Sequence, residues 1–574
     1  MIGTSEERLR GLHRRYPSYV PHTLWTRFSE NAGRYADKVF LIHQERSYTY
    51  GEVKEQVNRT AASLYAIGVR AGDHVAVALK NCPEYVYLTF AIAKLGAVKI
   101  PFNPKLGADE YRYILKQADA DYLFCPQRPQ QLDVPSLKET VLLRDWDSFI
   151  SEGDAVAAEG AGAYSRGHQN PMGMSDIMFT SGSTSSPKGV ILTHDMLLRS
   201  SFGTVCMRRM EFGRRIMVPI PFYHIFAYNE GLLPALYVGG TVIISDRKFD
   251  PENVLYLMKK HRANDIICVS LIMLHLLEQT RPRLEDFPDL HAGYWASTCP
   301  AWVWDRARKC FGITDVTTGY GMTECGSTTT LLTPDDPPEY VKSFHCKVKN
   351  AGALGMPELG GRLLSVKICE PGTGRELPAG ETGEICCRGV TVTPGYYKNP
   401  EADSAGFTHD GWFRTGDLGR IAENGYLVYT GRISDEYKIN GENVSPQYLD
   451  SVISRCPGVR AVEVIGVPDQ RYGAVGVAFI DPCDSADHGE IVSYMKTHLA
   501  GFQIPKYIFY GKSGQWPRGS SGKTKPSDFR KVAVQCLQCR DKAEYLIRET
   551  RYTSLPSSIS SLGDKAEYLI RETR

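Results

Sequence analysis

The chain has 574 residues, 42% hydrophobic and 23% charged, with a formal net charge of +2. That length exceeds what one hydrophobic core serves, so two or more domains of ordinary soluble composition are expected. The near balance of charge gives no reason to expect nucleic acid or an anionic membrane as the main partner.

Met1 to Arg10 is charged and lacks the apolar core of a signal peptide. The nearest approach to a membrane span, Gly231 to Ile244, is too short and holds Pro234. Cysteines are scattered without framework spacing, which suits free thiols and a cytoplasmic location. Cys536 and Cys539 form a lone Cys-x-x-Cys with no second pair, so no metal site is expected there.

In chain order, Val39–Ile42 and His74–Leu79 read as strands, Tyr50–Ala66 and Pro83–Leu95 as helices, and Asp121–Phe124 as a buried strand. This alternation implies layered α/β architecture. A Gly/Ala-rich, weakly patterned segment at Gly153–Gly167 follows. Next comes Phe179-Thr-Ser-Gly-Ser-Thr-Ser-Ser-Pro-Lys-Gly-Val190, a hydroxyl-rich loop between two apolar runs. Its hydroxyls, glycine-freed N–H groups and Lys188 suit phosphate oxygens, although a solvated turn has the same composition. No Gly-Lys-Ser/Thr follows at Walker A spacing. His224 stands among aromatics in Pro221-Phe-Tyr-His-Ile-Phe226, where a core histidine is the commoner meaning. In Gly319-Tyr-Gly-Met-Thr-Glu324, a hydroxyl and a carboxylate follow a flexible turn. They suit Mg2+ beside phosphates, or Glu324 is a surface acid.

Thr180–Gly189, Tyr320–Glu324, Thr415-Gly-Asp417, Gly431-Arg432 and Pro517–Lys523 together resemble, in order, the core motifs of the adenylate-forming superfamily. That superfamily includes acyl-CoA synthetases, carrier-loading adenylation domains and firefly-type luciferases, and the resemblance spans roughly Pro21 to Arg530. It implies a large N-terminal α/β domain of layered sheets and helices over 1–430 and a hinge at 431–435. A smaller, mobile α+β domain would cover 436–530, leaving a tail at 531–574.

The resemblance also implies the chemistry. A carboxylic acid is joined to the α-phosphate of ATP, pyrophosphate leaves, and a thiol attacks the acyl-adenylate. Thr180, Ser181, Gly182, Ser183, Thr184 and Lys188 would hold the β- and γ-phosphates, and Gly319, Tyr320, Gly321 and Met322 would border the nucleotide. Thr323 would engage phosphate and Glu324 Mg2+; Asp417 would accept both ribose hydroxyls, with Arg432 beside it. Lys523 matches the lysine that bridges carboxylate and α-phosphate. Lys438 matches a position that in plant aryl-CoA ligases lies on the face presented for thioester formation, and that some relatives also credit with help in adenylation. His224 would border the acyl group, with Phe222, Tyr223, Asn229, Ser270, Ser297 and Thr298, and with Gly319 and Met322, around the pocket. That mixture fits an aromatic acid or a medium chain.

Departures from the pattern are Ser185 for a loop glycine, Ser434 for the hinge Asp or Lys, Gly519 for a threonine and Pro526 for an arginine. Past the hinge, Gln447–Arg455 reads as a helix, and Val462–Val467 and Val475–Ile480 as strands. In the tail, Asp541–Arg551 recurs identically as Asp564–Arg574; Ala543, Leu546 and Ile547 would share a helical face. The leading expectation is an ATP-dependent acid:CoA ligase with a small carboxylic acid, ATP, Mg2+ and CoA as its ligands. The alternative is a stand-alone acid–AMP ligase that loads a carrier protein. Intact Lys523, Asp417, Arg432 and Glu324 argue against a nucleotide binder without catalysis.

Overall fold

The computed structural model describes residues 3–129, 132–159, 169–180, 187–245, 247, 249–296, 301–342, 345–439, 442–469, 473–483, 486–517, 526–542 and 569–572. Local sequence signals set several elements directly. Helix Tyr50–Ala66 begins at the Thr49 cap, whose hydroxyl accepts from Glu52 N while Glu52 Oε2 accepts from Thr49 N. Helix Pro83–Leu95 starts on a proline, whose missing N–H is not needed there, and ends at left-handed Gly96.

Two mostly parallel sheets form the layered part. One runs, in spatial order, Asp315–Thr317, Ala292–Ala296, Asp265–Val269, Arg215–Met217, Thr241–Ile244, Val39–His43 and Arg46–Thr49. The other runs Glu139–Leu142, Tyr122–Cys125, His74–Val77, Val98–Pro101, Met174–Thr180 and Lys188–Thr193. Its last two strands are an antiparallel pair in which Thr180 faces Lys188, so the hydroxyl-rich loop is a hairpin tip in sequence. A third sheet joins Gly319–Met322, Ser327–Leu331, His345–Val348, Leu427–Arg432, Phe413–Ile421, Gly383–Gly389 and Leu364–Cys369 through antiparallel pairs.

The first part of the segment from Gly153 differs from its expected irregular character: helix Trp146–Glu159 covers it as far as Glu159, and residues 160–167 lie outside the described residues. Gly153 is where this helix crosses Tyr50–Ala66, and a Cβ there would lie 2.4 Å from Ser63 N. The glycine reads locally as a breaker, but here it is the contact point of two helices.

After the third sheet, the hairpin Tyr437–Ile439 and Glu442–Val444 leads to helix Pro446–Ile453. Strands Val459–Asp469, Gly473–Pro482, Tyr507–Tyr510 and Leu569–Glu572 form a further sheet. No described apolar cluster mixes residues up to Leu427 with residues from Tyr437 onward. The two parts touch through polar contacts. Trp302 Nε1 donates to the Arg460 carbonyl at 3.3 Å, Arg460 Nε lies 3.6 Å from Glu278 Oε1, and Ser445 Oγ donates to the Thr430 carbonyl at 2.7 Å.

The expected boundary at 530 falls inside helix Pro526–Lys542, whose Ala533 and Cys536 are buried with Phe479, Phe509 and Trp516. Of the duplicated segment, Leu569–Glu572 pairs antiparallel with Tyr507–Tyr510 and is not helical. An open sheet edge offers backbone partners that a lone amphipathic segment lacks. The first copy's Ala543, Leu546 and Ile547 lie outside the described residues. No described helix is long and apolar enough to cross a membrane.

Candidate active site

Parallel topology brings together residues far apart in sequence. Strands Arg215–Met217, Asp265–Val269, Ala292–Ala296 and Asp315–Thr317 are neighbours in one sheet. Their carboxyl ends lead into the His224 loop, Ser270, Ser297 and Gly319 respectively. Crevices outside such strand ends are the usual ligand sites of open α/β sheets. Ser297 and Thr298 themselves lie outside the described residues, as do Ser181, Gly182, Ser183, Thr184 and Lys523.

The His224 loop is tied from below. Asn81 Nδ2 donates to the Ile220 carbonyl and Asn81 Oδ1 accepts from Phe222 N, both at 2.8 Å. The Tyr85 hydroxyl donates to the Phe222 carbonyl at 3.0 Å. Phe222 is thereby buried, while Tyr223 and His224 stay partly exposed with rings 4.8 Å apart. Burial pushes the Tyr223 phenol up to about 12. Ser270 is buried at the start of helix Ser270–Glu278. Asn229, expected at the pocket, is fully buried. It donates to the Gly326 carbonyl at 2.8 Å, so here it supports the turn that carries Thr323 and Glu324.

That turn follows strand Gly319–Met322. At Gly321 a Cβ would lie 2.1 Å from the Ser327 carbonyl oxygen across the bulged pair, so the close strand approach requires glycine. Thr323–Cys325 forms a short 3-10 turn ended by left-handed Gly326. Glu324 is 6% exposed, and Tyr396 donates its hydroxyl to Oε1 at 3.0 Å. Burial raises the Glu324 carboxyl above its usual range, and the Tyr396 hydrogen bond only partly opposes this. Lys188 Nζ lies 5.2 Å from the centre of the same Tyr396 ring. The segment carrying Tyr396 binds both flanks: Thr393 N donates to the Glu324 carbonyl at 2.7 Å, and Tyr397 N to the Gly189 carbonyl at 2.7 Å. It thus bridges the base of the hydroxyl-rich hairpin to the Glu324 turn.

Asp417 and Arg432 are direct cross-strand partners. Arg432 Nε lies 2.9 Å from Asp417 Oδ1, but that oxygen lacks an aligned hydrogen bond among the described residues. Oδ2 accepts from the Tyr320 hydroxyl at 2.9 Å. Tyr320 stacks on Tyr429 with centroids 5.2 Å apart. Burial raises the Asp417 carboxyl, with the Arg432 charge pulling the other way. The Thr415-Gly-Asp417 bend is itself held: Thr415 Oγ1 donates to the Ile385 carbonyl at 2.8 Å and Gly416 N to Glu384 Oε1 at 3.2 Å.

These groups suit Mg2+. Glu324 and Thr323 offer hard oxygen atoms, and Glu324 makes no ion pair among the described residues. Mg2+ is commonly held by one or two carboxylates with substrate phosphates and water. Lys438 sits in strand Tyr437–Ile439, opposite Asn443.

Sequence reasoning missed Tyr396, Glu384, Asn81 and Tyr85. Pro394-Gly-Tyr-Tyr397, a turn signal between a polar run and a helix, could have flagged the first; the others carry no local signal.

A family model described as AMP-binding enzyme matches residues 28–397, and one described as AMP-binding enzyme C-terminal domain matches 448–523. A methyl-dioxo-octahydroindenyl propanoyl:CoA ligase of Mycobacterium tuberculosis is 32% identical over 86% of this chain and 96% of that protein. A feruloyl-CoA synthase of an Amycolatopsis species is 32% identical over 85% of this chain and 94% of that protein. The structure of o-succinylbenzoate coenzyme A synthetase from Bacillus subtilis, in complex with ATP and magnesium ion, superimposes with a TM-score of 0.73 at 26% identity. It covers 87% of this chain and 98% of that one.

Proposed function

The chain belongs to the AMP-binding enzyme family, and on that premise we propose which of its residues carry each half of the reaction. It is an ATP-dependent ligase that joins a carboxylic acid to CoA through an acyl-adenylate. In the first half, a carboxylate oxygen attacks the α-phosphorus and the bond to the β-phosphate breaks, releasing pyrophosphate. In the second, the CoA sulfur attacks the acyl carbon and AMP leaves.

The observation that carries the assignment is the meeting of Glu324, Lys188 and their common neighbour Tyr396. It sets Lys188, at the base of the hydroxyl-rich hairpin, beside the buried carboxylate of Glu324. Thr180, Lys188 and the intervening loop then hold the β- and γ-phosphates, and Thr323 with Glu324 would hold Mg2+. When bound, Mg2+ neutralises phosphate charge and orients the triphosphate. Asp417 Oδ1 takes the ribose hydroxyls beside Arg432, with Tyr320 fixing the carboxylate from its other oxygen. Lys523 stabilises charge at the α-phosphate as a mobile ammonium, and Lys438 serves thioester formation. The hinge lies at 431–435, and rotation about it exchanges the two lysines.

CoA is favoured over a carrier protein as acceptor because the relatives named above are CoA ligases and synthases. A reducing cytoplasmic setting is supported by buried free thiols such as Cys325 and Cys346. The acid is of the aryl or medium-chain class, and the ring-bearing acid in the name of the Mycobacterium tuberculosis relative adds an alicyclic one to the panel. The test is acid-dependent ATP–pyrophosphate exchange over such a panel, repeated with CoA. Exchange together with a CoA thioester is expected; exchange without thioester would transfer the acceptor role to a carrier protein.

A further inference from the structure

Behind the Thr323–Cys325 turn lies a buried polar cluster that the reaction scheme does not use. The chain leaves the His224 loop through a π turn, Tyr228–Leu232, which carries Asn229 and Glu230 side by side, both fully buried. Such wide turns recur at functional sites. Glu230 Oε1 lies 3.2 Å from Lys349 Nζ, with side chains 0% and 1% exposed. The same carboxylate accepts from Thr328 N at 3.2 Å, from the Thr328 hydroxyl at 2.7 Å and from the Thr204 hydroxyl. Lys349 also donates to the Ser200 carbonyl at 3.1 Å and to its hydroxyl oxygen at 3.2 Å.

The cluster grips the turn at two points. Ser200 Oγ, at 2.6 Å, and Asn229 Nδ2, at 2.8 Å, both donate to the Gly326 carbonyl. Thr328, two residues on, is held by Glu230. Burial disfavours both charges, yet Lys349 and the two threonines hold the Glu230 carboxyl below its ordinary value. Stability alone does not call for such a pair, since apolar groups of similar volume usually serve a core as well or better. Lys349 instead holds Ser200, whose hydroxyl donates to the carbonyl at the end of the Glu324 turn.

We propose that Glu230 and Lys349, through Ser200 and beside Asn229 of the π turn, are positioning residues that orient the Glu324 turn to receive magnesium nucleotide. The inference rests on the reading of Glu324 as the Mg2+ ligand. It also joins that turn to the His224 loop, because Glu230 and His224 belong to one short stretch of chain.

The experiment uses the full chain and a fluorescent ATP analogue, titrated with and without Mg2+. Glu230→Gln/Lys349→Met removes both charges at nearly constant volume. Affinity without Mg2+ should hold, while the gain that Mg2+ brings should fall by about tenfold or more, as for other groups that orient a metal ligand. A folded double variant with the parent's Mg2+ gain overturns the proposal. Should it not fold, Ser200→Ala and Asn229→Ala decide, because each removes one donor to Gly326 and leaves the ion pair in place. Each should lower the Mg2+ gain by about threefold, the worth of a modest hydrogen bond; an unchanged gain in both overturns the proposal. Glu324→Gln in the same titration separates the two readings. A retained gain there removes Glu324 as ligand, whereas loss there with retention in the double variant removes only the positioning role.

Discussion

Asp417 shows how one residue can oppose stability and serve binding. Its carboxyl is 3% exposed, and burial raises its pKa above the ordinary 3.8. A group with a raised folded value contributes stability that is complete below about pH 4 and is lost as pH rises through that folded value. Asp417→Asn removes this loss. The Tm difference, variant minus parent, should therefore grow from pH 4 to pH 8 in ligand-free protein, as read by scanning fluorimetry. A flat or falling difference would place the burial effect elsewhere. The same substitution should weaken ATP binding, since hydrogen bonds to a charged acceptor contribute about 1.5–3 kcal/mol each, or roughly tenfold to a hundredfold in affinity. Gain of stability with loss of binding is the signature of a residue kept for its ligand. The motif made Asp417 legible in the sequence. Its partner Tyr320 was legible only as a motif member, because the hydrogen bond spans 97 positions along the chain.

At the scale of elements, Gly153 sets two effects against each other. Gly→Ala inside a helix ordinarily stabilises by about 1 kcal/mol. At this crossing the added methyl would lie 2.1 Å from Ser63 Oγ and 2.4 Å from Ser63 N, and backbone cannot swing aside. Overpacking of this kind costs about 1–3 kcal/mol or more, so Gly153→Ala should lower Tm in thermal unfolding. A rise would mean that helix propensity wins and that the two helices separate easily. Helix Pro526–Lys542 supplies the second prediction at this scale. Truncation after Lys542 should leave thioester formation within about twofold, because among the described residues it removes one short edge strand. Truncation after Lys531 should lower Tm markedly, because it deletes buried Ala533 and Cys536 from their contacts with Phe529 and Trp516. Equal stability of the two would show that the helix is dispensable past Arg530.

Across the whole molecule, the apolar cores stop on either side of 431–435 and the two parts meet through polar contacts at Arg460 and Ser445. Small polar interfaces permit domain rotation. Under the alternating reading, Lys523→Ala should slow pyrophosphate exchange by roughly a hundredfold or more, a loss of a few kcal/mol of transition-state stabilisation. Thioester formation from supplied acyl-adenylate should be spared. Lys438→Ala should show the reverse preference. Equal damage to both steps in the Lys523 variant would sink the rotation.

What the sequence by itself determined is local or motif-borne: the capped helices Tyr50–Ala66 and Pro83–Leu95, the hairpin around Thr180 and Lys188, and the ordered motifs from Thr180 to Lys523. Caps, periodicity and turn residues act within a few positions, so a linear reading recovers them. Tertiary structure alone decided what touches what. It made Gly153 a helix contact, bonded Asn229 to the Gly326 carbonyl, and placed Tyr396 between Lys188 and Glu324. It also paired Glu230 with Lys349, more than a hundred residues apart. Those contacts depend on strand order and on the burial of charges, and neither is written in any short stretch of chain.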